Sequence, residues 1–406
     1  MTSEVVALPH RGLLATPGYA RLWFAGSVGN SMRWLELLVA GVYTFQLTHS
    51  AFQVALVTVA RSLPMLFVGP LAGVLCEALN RKRLLLKQLT VLATTSSVLA
   101  VLALIGYLRV WHIALGGAVA GTVWACEMAV RRRMLSEVVP VDRVGAAIAF
   151  DSLTNSASRV MGPLCGGALF ETIGPGGIYL LSVALYVVSI IAVAGLEFRQ
   201  DIRRLRFGHI PRQIAEGIAV ARATPAVMVV VLVTIIMNSF GFCYSALLPA
   251  IGLGYYHVSP VLVGMLVAAE PVGAIIVGTA MSAGWIRLDG TRSLLRGSFL
   301  LLGGVIAMAL SPWYAAAFAL LVIGGLGSAA FGNMQTSLVL IEAPPASRSR
   351  VLGIVTMCIG TGPLGVLAVG ALSERLGASS AILIMAGIGV LGLLLVWRNT
   401  RRYLVA

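Results

Sequence analysis

The run Ala149–Gly167, AFDSLTNSASRVMGPLCGG, decides how the rest of the chain is read. Asp151, Asn155 and Arg159 recur at four-residue spacing inside an apolar segment, so on a helix their side chains share one face. The run ends in Gly162-Pro163-Leu164-Cys165-Gly166-Gly167. Pro163 removes one backbone donor, and the small residues open a groove into which a second helix packs closely. An ionisable stripe on an apolar helix needs a wet cavity or a partner. The expectation is a moving helix that bends near Gly162–Gly167 and lines such a cavity.

The flanking sequence fits that setting. The chain is 59% hydrophobic and 11% charged, with a mean hydropathy of +0.95. A soluble domain carries about 25% charged residues. Apolar runs of about 20 residues, enough to cross a bilayer, fall near Leu22–Leu47, Val54–Leu79, Leu85–Tyr107, Val110–Val130, Gly145–Thr172 and Gly177–Leu196. A second set falls near Ala226–Gly252, Val261–Ile286, Ser293–Leu310, Trp313–Leu340, Val351–Leu376 and Ser379–Trp397. The reading is an all-α membrane protein of twelve spans. A tail (1–21) and a first six-helix bundle (22–196) lead to a charged linker (197–225), a second bundle (226–397) and a closing tail (398–406).

Orientation follows from charge. Of the 29 Lys and Arg residues, Arg109 and Arg375 lie in loops on one side and Arg33, Arg61 and Arg159 lie within spans. All the others gather in the tails and loops of the opposite side, or in the first turns of the spans that leave them, as Arg81-Lys82-Arg83 and Arg131-Arg132-Arg133 do. Basic loops mark the cytoplasmic face, so both termini are expected there. The same sorting accounts for the net charge of +14 without nucleic acid. No cleavable leader is expected before the first span, and Trp23, Trp111, Trp285, Trp313 and Trp397 fall at span ends as an aromatic belt. The linker stretch Glu197–Arg222 is expected to be partly helical and to lie along anionic headgroups.

Several chemistries are excluded as expectations. The five cysteines stand alone in apolar segments with no metal or redox spacing, and read as packing residues. No phosphate-binding Gly-x-x-x-x-Gly-Lys run and no nucleophile–His–acid constellation occurs within the spans. An ATP-driven pump and an enzyme are therefore not expected.

Ser158 followed by Gly162-Pro163-Leu164-Cys165-Gly166-Gly167 resembles the fifth-helix Gly-Pro-x-x-Gly-Gly motif of exporters in the major facilitator superfamily, a motif associated with antiport. Gly69-Pro70-Leu71-Ala72-Gly73 with Glu77, Arg81 and Arg83 resembles that superfamily's signature between spans 2 and 3. Glu127 with Arg131, then Leu135–Pro140, is similar to the end of span 4 in the branch of bacterial siderophore exporters and secretion effectors. The second half echoes the first: Gly362-Pro363-Leu364 answers Gly162-Pro163-Leu164. Glu374-Arg375-Leu376-Gly377 likewise answers Glu171-Thr172-Ile173-Gly174. The resemblance implies two pseudo-symmetric six-helix bundles in a bacterial inner membrane that rock around a central cavity. It implies a monomer, without cofactor or metal, that exports a siderophore or a drug-like amphiphile by proton antiport. Lysophospholipid flipping by the same fold is the alternative, and a lateral opening between spans would favour it. In the family Glu77 is a latch that pairs with basic residues of a neighbouring span. Two departures stand out: span 4 lacks the Arg of many drug–proton antiporters, and Arg33 stands where the branch shows an Asp.

The mid-span ionisable residues are Arg33, Glu36, Arg61, Asp151, Arg159 and Glu270. Arg33 and Glu36, one turn apart, either neutralise each other or meet substrate. Asp151 and Arg159 are too far apart to touch but are bridgeable through Asn155 or water. Glu270 has no basic neighbour in its own span; it either carries the coupling proton or pairs with Arg33 or Arg159 across the cavity. With Asn30, Asn238 and Tyr244 nearby, Arg33 and Arg159 point to an amphipathic substrate with an anionic or chelating part.

Overall fold

The computed structural model describes residues 12–198, 210–286, 288 and 290–404. The side chains of residues 17, 69–78, 128–129, 141, 210–214, 282, 346, 349 and 401–404 are not included. No strand occurs among the described residues. The first half holds α1 (Pro17–Thr48), α2 (Ala51–Ala78), α3 (Arg81–Leu104), α4 (Val110–Val138) and α5 (Val144–Ala194). Between the halves lies α6 (Ile210–Ala223). The second half holds α7 (Pro225–Ile236), the single turn α8 (Leu248–Ala250), α9 (Pro260–Ser282), α10 (Gly290–Leu310) and α11 (Tyr314–Glu342). It ends with α12 (Arg348–Ile359), α13 (Gly362–Leu376) and α14 (Ala378–Leu404).

Local chemistry sets these ends. Asn80 caps α3 by accepting from the Arg83 N–H at 3.0 Å, and prolines open α1, α7, α9 and α13, where their missing donor costs nothing. α5 is two spans joined at Gly174, whose φ of 64° reverses the chain. Its counterpart Gly377, at φ 80°, does the same between α13 and α14. Only glycine takes that left-handed geometry without a Cβ penalty, so the repeated Glu-x-x-Gly turn in the sequence is a repeated backbone device.

Among the described residues ten segments are long and apolar enough to cross a membrane, with Val144–Ala194 counted once. Its two limbs make one more, and α1, less apolar because it carries Arg33 and Glu36, packs lengthwise against α5 as the twelfth. The span expected near Ala226–Gly252 is not one regular helix. After α7 it passes through a wide turn at Met237–Gly241, a tight one at Cys243–Leu247 and another wide one at Ile251–Tyr255. The bend expected at Gly162–Gly167 is absent: α5 stays helical through Pro163, and its non-helical residue is Gly174. At the equivalent place in the second half the helix does break, α12 ending at Ile359 and α13 restarting at Gly362.

Each half has its own buried cluster, one including Leu35, Leu89, Met134 and Tyr186, the other Val230, Leu301, Phe331 and Met385. Outward faces are apolar, as at Val101, Leu104, Ile191 and Leu395, which suits contact with lipid. Trp111, Trp285, Trp313 and Trp397 are exposed at helix ends, whereas Trp23 turns inward to donate to Thr154 Oγ1 at 2.9 Å and is no part of the belt. The linker helix α6 is amphipathic and joins α12 through Glu216 and Arg350, 3.2 Å apart.

The halves meet along two helix pairs, α5 with α9 and α2 with α13. Both seams are tight at the end away from the basic loops. A Cβ on Gly167 would collide with the Pro260 carbonyl, one on Gly264 with the Pro163 carbonyl, and one on Gly370 with Ala55. There Glu171 Oε1 accepts the Val261 N–H at 3.0 Å, closing α5 onto the first turn of α9. At the basic end Gly332 and Gly353 border open space. The two halves therefore form a V that is shut on one side and open on the side of the basic loops. Replacing Gly264 by Leu is expected to wedge the shut side apart and cut transport by about tenfold or more. A flux assay beside a helix-content spectrum checks this, the spectrum staying unchanged.

Candidate functional site

The open end of the V is a cavity of about 660 Å³. α5 contributes Ser152, Leu153, Ser156 and Arg159. α9 supplies Pro271, Ala274, Ile275, Gly278 and Thr279, and α11 supplies Ser328, Ala329, Gly332 and Asn333. At its deep end the halves are tied by charge. Arg159 Nη2 of α5 lies 2.9 Å from Glu270 Oε2 of α9, and the Ser328 hydroxyl of α11 donates to Glu270 Oε1. The pair is unequal: the Glu270 side chain is 9% exposed, the Arg159 side chain 35%. Glu270 sits there because α9 and α11 touch backbone to backbone, a Cβ on Gly325 or Gly273 colliding with the Glu270 or Val322 carbonyl. Tyr244 is buried within electrostatic reach of both Glu270 and Arg159. A carboxylate so held can exchange its guanidinium partner for a proton or for another cation, and the exchange is felt by both halves at once.

The other polar residues singled out from sequence are used elsewhere. Glu36 does not pair with Arg33. It faces Arg61 of α2 at 3.9 Å and accepts from Ser96 of α3 at 3.3 Å, sealed inside the first bundle. Arg61 also donates to the Arg33 carbonyl at 3.1 Å. The Arg33 guanidinium lies 3.5 Å over the ring of Trp124 and 4.8 Å from that of Trp34, a cation–π contact in place of an acid partner. Asp151 is not bridged to Arg159. It pairs with Arg131 of α4, which also holds Glu127 at 3.1 Å, one turn back as expected. Asn155 is half-buried and is not among the cavity's described walls. Asn30 is buried with its Nδ2 unpartnered, and Asn238, in the wide turn after α7, donates to the Thr234 carbonyl of α7 at 2.9 Å.

Among the motif residues, Arg81 pairs with Glu137 at the end of α4 and Arg83 is exposed. Gly162 packs on Trp34 and Gly166 on Leu35. Glu77 and its proposed latch, with Gly69 and Gly73, lie outside the described side chains. Pro363 opens α13, with Gly362 beside it. Cys126 is half-buried, Cys243 and Cys358 are buried and Cys165 is exposed; all four are unbridged. Sequence reasoning did not single out Ser328, Ser152, Ser156 and Thr279, and read Asn333 only as part of a second-half counterpart to the span 4 motif, in Ala330–Asn333. The one signal available was the run Gly324-Gly325-Leu326-Gly327-Ser328, whose small residues mark a close helix contact.

This is the architecture of a membrane transporter of the major facilitator superfamily. Residues 12–402 match the family model described as transmembrane secretion effector, and the chain belongs to that family. It is 21% identical to macrolide efflux protein A of Streptococcus pyogenes, over 83% of this chain and 84% of the relative. It is 24% identical to the multidrug efflux pump Tap of Mycobacterium bovis, over 83% and 82%. Among solved structures, a bacterial homologue of the human lysosomal transporter Spinster, captured inward-facing and unoccupied, superposes with a TM-score of 0.72 at 15% identity, over 96% of this chain and 98% of that one. A peptide transporter of the POT family in complex with sulfate gives 0.75 at 12% identity, over 97% and 96%. The chain is a multi-pass membrane transporter of that family.

Proposed function

We propose that this transporter exports a small amphipathic, drug-like molecule from the cytoplasm of a bacterium in exchange for protons, with Glu270 as the proton carrier. The observation that carries this reading is the Arg159–Glu270–Ser328 contact, which spans both halves at the deep end of the cavity. The sorting of basic residues to one side supports a cytoplasmic open end of the V.

Antiport requires cargo and proton to exclude each other. A proton on Glu270 neutralises it and releases Arg159. A cationic group on the cargo does the same by taking Arg159's place. Arg159, a third exposed, has water to turn into, whereas Glu270 stays buried. An anionic cargo would act in the opposite sense: by drawing Arg159 away it would favour a proton on Glu270, so the two would travel together. The anionic or chelating group read from Arg33 and Arg159 presumed free guanidinium groups, and both are engaged in this state. A cationic amphiphile is thus favoured over a siderophore, in keeping with relatives named for macrolide and multidrug efflux.

Everted membrane vesicles with an acidic interior test the reading. A lipophilic cationic dye is expected to accumulate and to leave when a protonophore collapses the gradient; a siderophore is not expected to accumulate. Dye accumulation that survives the protonophore would overturn proton exchange.

A further inference from the structure

The Arg159 guanidinium stands between two groups of different kinds. Across the seam is the Glu270 carboxylate, 2.9 Å away. Within its own half is the indole ring of Trp34 in α1, whose centroid lies 5.5 Å from the guanidinium carbon, near the outer limit of a cation–π contact. Backbone packing places that ring. A Cβ on Gly162 would collide with the Trp34 Cβ and crowd the Leu35 nitrogen, and one turn along the same α1–α5 contact the Ser31 and Ser158 hydroxyls meet at 3.2 Å. The indole Nε1 is buried without a hydrogen-bond partner among the described residues, so packing holds the ring. Arg33 lies 4.8 Å from the same ring but is drawn closer to Trp124, at 3.5 Å. Gly162, first in the Gly-Pro motif, is thus what lets α1 come close enough to present an aromatic face to Arg159.

We infer that Trp34 is a positioning residue for the exchange at Glu270: its ring receives the Arg159 guanidinium when a proton or a cargo cation takes that arginine's place. This rests on the exchange reading above and names the residue that sets how readily the place is vacated. A guanidinium that leaves a carboxylate needs compensation elsewhere, and the Arg159 side chain, 35% exposed, is only partly compensated by water. At 5.5 Å the aromatic contact is weak while Arg159 is held by Glu270, and it strengthens as the guanidinium swings back onto its own half. The ring therefore favours the released state over the paired one, as a group that shifts an equilibrium must. Without the ring Arg159 stays on Glu270 for a larger fraction of the time. Proton and cargo are then disfavoured alike, because both compete with the same guanidinium. The other groups at Glu270, Ser328 of α11 and Tyr244 within electrostatic reach, belong to the second half and are untouched by a change at Trp34.

Two equilibrium measurements on the full-length chain in detergent test the inference. One is binding of tetraphenylphosphonium, a lipophilic cation. The other needs no cargo: the pH at which the infrared carboxylic-acid band of Glu270, identified by its loss in Glu270→Gln, reaches half height. Trp34→Met removes the ring and Trp34→Phe keeps one, at similar bulk. Trp34→Met is expected to weaken phosphonium binding about fivefold and to lower the midpoint of the band by the equivalent, about 0.7 pH units. Trp34→Phe is expected to stay within about twofold of the wild type on both. In an Arg159→Met background, where no guanidinium remains to be received, Trp34→Met is expected to change either quantity by less than about twofold.

Weaker phosphonium binding that persists without Arg159, with the infrared midpoint unmoved, would make Trp34 a contact of the cargo itself and overturn the inference. Equal losses in Trp34→Met and Trp34→Phe would assign the effect to packing and overturn it too, as would a Trp34→Met protein that matches the wild type on both measurements. The transport reading fails separately. If the wild type binds no phosphonium, yet the midpoint falls in Trp34→Met and not when Arg159→Met is added, the role of Trp34 stands and the cationic cargo is removed.

Discussion

With Glu270→Gln, accumulation driven by a pH gradient is expected to fall to the level of simple equilibration. One pH unit is worth about 1.4 kcal/mol per proton, so each exchanged proton supports about tenfold accumulation across a one-unit gradient. Gln keeps the volume and one oxygen to accept from Arg159, while its NH2 can donate to the Ser328 hydroxyl, so the contact between the halves survives in shape. What disappears is the site that can be charged or neutral. Cargo should still cross downhill, because the cavity keeps its shape, while its dependence on the gradient is lost. Dye accumulation at several gradients is the measurement. A variant that still concentrates the dye about tenfold would move the proton to another carboxylate, with Glu36 and Asp151 the buried candidates.

Arg131→Met is expected to have the largest effect on stability. Arg131 is 5% exposed and is the counter-charge for Glu127 and Asp151 together, and Gly26 of α1 leaves space for its guanidinium. Removing it leaves two buried carboxylates with no guanidinium in contact, Arg33 acting on Glu127 only from a distance. Breaking a buried pair from one side costs about 3–5 kcal/mol. In detergent this should appear as a marked fall in the melting temperature and in the folded yield. Adding Glu127→Gln and Asp151→Asn to Arg131→Met removes the stranded charges and is expected to recover most of the loss. If the single variant melts with the wild type, the triad contributes little and Arg131 is an ordinary interfacial base.

The membrane made most of the fold legible. Every residue in a span must satisfy its backbone within its own helix, so apolar length reports the span directly. The half-to-half echo was legible for a related reason. Gly174 and Gly377 occupy a backbone conformation that other residues rarely adopt, and this fixes a recognisable letter at both turns. The Gly-Pro motif was legible as a contact and misleading as a bend. A proline within a helix can keep its helical φ and give up only one hydrogen bond, as Pro163 does where its carbonyl meets Gly264.

Charge pairing was far less legible. Glu127 and Arg131 were readable because they stand one turn apart on one helix, and Arg33 with Glu36 looked readable for the same reason. The second pair does not form, since Glu36 turns to α2 and α3 while Arg33 lies against α4. Asp151 finds its partner 20 residues away and Glu270 finds its own 111 residues away. Nothing local records such distances. By itself the sequence determined the all-helical class, the spans, the side that carries the basic loops and the family resemblance, because each follows from single-residue transfer energies or backbone limits. The tertiary structure alone decided which carboxylate meets which guanidinium, which end of the V is shut and where the cavity opens, because those depend on how one helix is rotated against the next.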